Sequence, residues 1–398
     1  VLDASRRHPR PRRDLGQRHG RQPALGDDRQ DRVGDLLPPH LGAAVLAPAT
    51  LTVLTTSFPE GPRRTRALAA WTAVSLAGGA AGNLVGGVLT QSLSWRWILL
   101  VNVPIGAIAL TLTGRLPGSG RAGRAARLDL PGAASVTAGL ALLAYGVMQA
   151  EPRGWDDPVT ASVLATAVLL LAAFVLIETR LARDPLIPPR LFRLRAVSAG
   201  NAVMLLAGAC FQVPMWYFLT LYMQDVLNYT ALQTGLGFLP HTLLTTAVGL
   251  RVTPWLMKRV DDRALVIAGA LLAAASFLWQ SRLTADGDYL SAVLGPAVLV
   301  SVGGGLLNTP LTTTVTSGVP GRDAGAASGL MNTAKQVGGA LGLAALTAAT
   351  AGHAAGPPSL AHAYGNAFLI MAIMMSAIAA ASLALPPRRD TPETGPPR

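Results

Sequence analysis

The chain has 398 residues, of which one is cysteine, 5% are aromatic and only 14% are charged. Each scarcity excludes something. A single thiol, Cys210, cannot close an internal disulfide, and it lies in an apolar run where packing is its ordinary use. There is no HExxH pair, no GxxxxGK[ST] phosphate loop and no cysteine–histidine cluster, so neither metal catalysis nor nucleotide hydrolysis is indicated, and no metal or cofactor is expected. Six of the 21 acids precede residue 41, and the rest fall in loops, tails or the ends of apolar runs. A membrane-embedded enzyme needs clustered acids or histidines inside the bilayer. The sequence offers none, and it reads as a non-enzyme.

What is present in quantity is apolar sequence, at 51% of residues. After a short stretch at 41–57 come ten fuller ones near 67–91, 97–114, 130–149, 159–177, 196–222, 235–257, 264–280, 289–311, 324–350 and 363–385. Their lengths match the ~20 residues a helix needs to cross a bilayer. Lipid gives backbone groups no hydrogen-bond partners, so such stretches must be helical, and the fold class is all-α, a polytopic membrane bundle. Residues 1–40 hold nine arginines and six aspartates with almost no apolar periodicity, which reads as a charged, disordered segment.

The net charge of +12 is mostly topology. Taking alternate connections as one side of the membrane, SFPEGPRRTR, RLPGSGRAGRAAR, TRLARDPLIPPRLFRLR, KRVDDR, VPGRDAG and the tail PPRRDTPETGPPR carry 19 basic residues. The opposite side has only Arg96, Arg153 and Arg282. Lys and Arg mark cytoplasmic loops, so the first set and the C-terminus are expected in the cytoplasm, with the chain in the plasma membrane. A nucleic-acid partner is not expected. Trp95, Trp97, Trp155 and Trp279 fall near external span ends and Trp255 near an internal one, as interfacial indoles do.

The sequence also repeats itself. PATLTVLTTSFPEG at 48–61 resembles PLTTTVTSGVPG at 310–321, and GGAAG at 78–82 matches GGALG at 338–342, at offsets that drift only from 262 to 260 residues. Both copies run a span down to the cytoplasm, turn in a short Pro/Gly/Arg loop and rise in a glycine-patterned span, so the repeat is parallel. If the second copy contains the fifth helix of six, that unit comprises the six spans from 196 to 385.

On these residues the sequence resembles the fourteen-helix drug:proton antiporter branch of the major facilitator superfamily. LGAAVLAPATLTVLTTSFPEGPRRTRALAAW resembles that family's fourth helix, cytoplasmic loop and early fifth helix, and WRWILLVNVPIG its sixth. LYMQDVLNYTALQTGLGFLP resembles the ninth-to-tenth connection and SGLMNTAKQVGGALG the thirteenth helix. The resemblance implies a major facilitator fold with an incomplete N-terminal bundle at 41–114 (family helices 4–6), a linker at 115–195 with two extra helices, a complete C-terminal six-helix bundle at 196–385 and a cytoplasmic tail at 386–398. The resemblance further implies that the first three family helices and part of the fourth are missing, with residues 1–40 expected in their place as a non-family, truncated or frame-disrupted segment.

The family's antiporter motif, G-x-x-x-G-P-x-x-G-G, is filled here by Gly78, Gly82, Gly86 and Gly87, with Asn83 where the family has proline. Glycines four apart stack on one helical face and admit a close neighbour, so plain packing and the antiporter role both fit, with partners expected in the other bundle. Lys335, Gln212, Gln224 and Asp225 are candidates for the cavity or for coupling. The other readings are snorkelling for Lys335, satisfied polar sites for the glutamines and an interfacial charge for Asp225. Asp262 and Arg263 are candidates for a cytoplasmic gate, beside the reading as a solvated loop. His241 reads as packing or as a proton relay. The implied function is efflux of a small organic molecule of multidrug or antibiotic type in exchange for protons across the lipid bilayer. The alternatives are an uptake facilitator and a non-transporting membrane fragment.

Overall fold

In a computed structural model of the chain, the described residues are 78–113 except 80 and 83, then 129–182, 185–320, 323–350 and 356–386. All of them belong to one unit, Ala73–Arg398. The segment 1–40, the span expected at 41–57, most of that at 67–91, Asn83 and the tail beyond residue 386 lie outside the described residues.

Among the described residues every regular element is helical. Besides short π and 3-10 segments and a single α turn at Thr253–Leu256, they are in chain order α1 (84–92), α2 (Arg96–Leu100), α3 (Asn102–Thr113), α4 (Leu130–Arg153), α5 (Pro158–Leu176), α6 (Arg195–Phe211), α7 (Pro214–Leu221), α8 (Ala231–Ala247), α9 (Asp262–Gln280), α10 (Gly295–Thr316), α11 (Ala324–Thr350) and α12 (Pro357–Ala381). Among the described residues six stretches are long and apolar enough to cross a membrane: Leu130–Ala150, Pro158–Leu181, Arg195–Val226, Asp262–Gln280, Leu290–Thr316 and Pro357–Ala384. The fold is therefore an all-α, multi-span bundle.

Local chemistry explains where these helices begin and bend. Asp157 accepts from the amides of Val159 and Thr160, each at 3.0 Å, with Pro158 at the first helical position where its missing N–H costs nothing. Thr230 and Gln233 form a reciprocal capping box at the start of α8. The stretch Arg195–Val226 bears out the span expected at 196–222, but its helix is interrupted: Val213 leaves helical geometry just before Pro214, because proline crowds the preceding residue out of the α region. One-turn π segments follow at Tyr222–Val226 and Val248–Val252, so these spans run on past their α-helical ends.

Packing is uneven along the chain. Helices α6 to α12 enclose one apolar core, with Phe218, Phe277, Phe368, Met371 and Met375 fully buried. Phe277 lies 5.7 Å from Phe211 and 6.1 Å from Phe368, ring to ring. The pair α4 and α5 pack on each other, and α4 also lies against α11, so the two extra helices adjoin this core. By contrast Val103, Ile105 and Ile108 of α3 are exposed.

Two crossings need glycine for close approach. At the α6–α11 crossing, a methyl group at Gly338 would run into the Leu205 carbonyl oxygen, one at Gly342 into Ala209, and one at Gly208 into the Lys335 carbonyl. At the α9–α10 crossing, a Cβ on Gly269 or Gly303 would come within 2.6 and 2.7 Å of the other's carbonyl oxygen. Gly338→Val should therefore destabilise the protein by about 1–3 kcal/mol, the cost of overpacking. Gly329→Ala, on the same helix with nothing within 4 Å of its added carbon, should be neutral or slightly stabilising. Thermal unfolding of the two variants in detergent checks the pair.

Candidate transport site

The candidate residues fall into three groups rather than one. The first sits on the α6–α11 crossing. Lys335 is half-buried on α11 with its backbone against Gly208, and Gln212, at the end of α6, lies one turn further along, where its Cβ and Cγ are 3.0 and 3.1 Å from a Cβ built on Gly339. Close helix approach thus brings a cation and an amide to one seam. Lys335 makes no ion pair with the described residues.

The second group lies just past the C-terminal end of α7. Gln224 donates to the Thr234 hydroxyl at 3.5 Å, and Asp225, exposed, accepts from the Tyr364 hydroxyl at 3.1 Å. Each bond ties the π turn Tyr222–Val226 to a neighbouring helix, α8 in one case and α12 in the other. Gln224 and Asp225 are not gathered with Lys335.

The third group is at the start of α9, where Asp261, Asp262 and Arg263 are half-buried, while Arg259 in the preceding turn lies over the Trp255 ring at 4.1 Å. Of the motif glycines, Gly87 alone has a described neighbour: a Cβ there would meet the Ala231 carbonyl oxygen at 2.9 Å and the Leu232 Cα at 3.1 Å. That neighbour is the start of α8. Gly78, Gly82 and Gly86 have nothing described within 4 Å.

Three polar arrangements were not legible as partners in the sequence. His241 of α8 places Nδ1 2.8 Å from the Ser301 hydroxyl on α10, and its ring also bonds the Ala297 carbonyl. The ring therefore ties two helices, and Trp216 stacks edge-on against it at 5.0 Å. Glu178 accepts from the amides of Leu186 and Ile187 at 3.1 and 3.2 Å, folding the connection after α5 back on itself. Arg190 then donates through Nη2 and Nε to Asp323 at 2.7 and 3.2 Å. That bidentate bond raises the guanidinium above its ordinary pKa and pins the connection to the start of α11. Local patterning marks none of these pairs, because their members are from 8 to 133 residues apart.

A bundle of several apolar helices of membrane-spanning length, joined at close glycine crossings, defines a multi-span integral membrane protein. The sequence profile described as the Major Facilitator Superfamily matches residues 40–343. The chain belongs to that superfamily. It is 58% identical to the cephamycin export protein CmcT of Amycolatopsis lactamdurans over 356 residues, covering 88% of this chain and 73% of that protein. It is 39% identical to the puromycin resistance protein pur8 of Streptomyces alboniger over 78% of this chain and 61% of that one. With the tetracenomycin C resistance and export protein of Streptomyces glaucescens it shares 34% identity over 77% and 56%. The chain thus spans from about half to three quarters of the length of these relatives.

The His241–Ser301 pair yields a stability test. Ser301→Ala strands a buried ring nitrogen and should cost about 1–3 kcal/mol. Combined with His241→Phe, which removes the other partner, the double variant should cost clearly less than the sum of the two. Unfolding midpoints of the three variants measure that coupling.

Proposed function

We propose that this chain exports small organic antibiotics from the cytoplasm across the plasma membrane, in exchange for protons, by rocking of two helical bundles about a central cavity. The observation that carries the reading is the 58% identity to a cephamycin export protein over most of this chain. Relatives named for resistance to puromycin and tetracenomycin C point the same way. The basic residues favour one set of loops, which supports a cytoplasmic C-terminus.

In this reading Lys335 and Gln212 contact the substrate, since the α6–α11 seam is where a charge and an amide meet without a partner from the described residues. Asp262 and Arg263 belong to the cytoplasmic gate. Gly87 sets the closeness of the two bundles by its approach to α8. The Tyr364 bond favours Asp225 as a latch between helices rather than as the coupling acid. The proton-bearing group is then another residue.

The test is expression of the chain in an efflux-deficient host, with accumulation of a cephamycin or puromycin measured with and without a proton uncoupler. Export predicts reduced accumulation that the uncoupler restores; reduction that survives the uncoupler would sink the proton exchange alone. Lys335→Ala should weaken apparent substrate affinity about tenfold, as expected on removing one charge-assisted hydrogen bond. Lys335→Arg should retain most of it.

A further inference from the structure

The turn between α9 and α10 encloses a pocket of about 430 Å³. It lies where the spans Asp262–Gln280 and Leu290–Thr316 end, at the level where a bilayer gives way to water. Its wall is two-sided. Leu278, Leu283 and Ala292 make an apolar face, while Trp279, Arg282 and Ser291 bring an indole, a guanidinium and a hydroxyl to the rim. The Trp279 ring fits against Gly295, where an added Cβ would come within 2.9 Å of it, so the indole is held in place. The turn itself is fixed by the Tyr222 hydroxyl, which donates to the Thr284 carbonyl at 3.0 Å.

We propose that this pocket binds a membrane phospholipid by its headgroup, with the phosphate on Arg282 and the first acyl carbons along the apolar wall. Arg282 is exposed, makes no ion pair with the described residues, and offers the planar donor fork that suits a phosphate. Trp279, half exposed beside it, is the residue type that settles at the headgroup level. The charge around the pocket narrows the lipid further. Asp286 and Asp288 stand in the same turn, and Asp288 accepts from the Ser291 amide at 3.0 Å and from its hydroxyl, bonds that hold its carboxyl below the usual carboxylate range. Two carboxylates in the turn that carries the single guanidinium disfavour a net-negative headgroup. They suit one carrying an ammonium next to its phosphate, as in an ethanolamine phospholipid. The site is independent of what the protein transports.

The test is mass spectrometry of lipid retained when the chain is purified from membranes in mild detergent. Ethanolamine phospholipid should remain with the unaltered chain and fall about tenfold in Arg282→Gln, the effect of removing one charge-assisted hydrogen bond to the phosphate. Arg153→Gln, at an exposed arginine at the end of α4, should retain it fully. Arg282 is at the surface, so the variant is expected to fold, and an unchanged elution profile and unfolding midpoint without lipid confirm that. Equal retention in Arg282→Gln, or the same fall in Arg153→Gln, overturns the proposal. Preferential retention of phosphatidylglycerol overturns the headgroup assignment. In a second arm, vesicles containing ethanolamine phospholipid should raise the unfolding midpoint and free phosphoethanolamine should not; equal protection by the free compound would make the ligand a soluble phosphate and overturn the lipid reading.

Discussion

The fold of the described core depends on how near two helix backbones can come. A bilayer supplies no hydrophobic drive to push apolar helices together, because lipid tails are as apolar as leucine. What remains is close packing, and close packing needs small residues at the seam. At the α6–α11 crossing the glycines alternate sides, Gly208 on one helix and Gly338, Gly339 and Gly342 on the other. Each lets the opposite helix in. The same solution recurs between α9 and α10 at Gly269 and Gly303, so the four helices that frame the core are joined by absence of side chains more than by their presence. A residue whose helix propensity is poor is thereby the one that holds the helices together.

Several polar groups inside this core meet the complementary constraint, that a partner must be found where water is scarce, although the buried Gln280 amide has none among the described residues. Ser276 donates to the Pro296 carbonyl at 2.7 Å, Thr253 to the Gly305 carbonyl at 3.1 Å and Tyr289 to the Gly237 carbonyl at 2.9 Å. The first two carbonyls are on α10 and the third on α8, so short cross-helix bonds stitch what the glycines bring near. Pro296, Gly305 and Ser301, the last bonded to His241, place three such ties along α10 alone. That makes α10 a fixed element of the core. Lys335 departs from the constraint, and it lies on the seam where movement of α6 past α11 would change its surroundings.

Much of this was legible in the sequence, for a physical reason. Spans are set by the ~20-residue apolar length the bilayer demands, and that length survives in any local window. The glycine pattern GGALG could be read as a packing face because spacing alone puts residues on one side of a helix. What could not be read was which face meets which helix. Nothing near Asp225 in the chain points to Tyr364, 139 residues on, and nothing near Arg190 points to Asp323. Interruptions were also hidden: Pro214 lies in a run that reads as continuous apolar sequence, yet it breaks the helix within that span, while Pro240 and Pro310 sit inside helices that continue. A proline's effect depends on whether neighbouring helices satisfy the carbonyl it frees, and that is a tertiary fact.

The two copies of the repeat differ in an informative way. In the second, the space at Gly338 and Gly342 is filled by the backbone of α6. In the first, the described approach is that of Gly87 to Ala231 and Leu232 at the start of α8. The pattern is shared, but its partners are not. The approach at Gly87, 2.9 Å from a carbonyl oxygen to a would-be Cβ, is nearly as tight as the α9–α10 crossing, so a side chain there would collide with a neighbouring backbone just as one at Gly338 would. The same glycine spacing thus admits two different helices, and the difference follows from the neighbour, not from the motif.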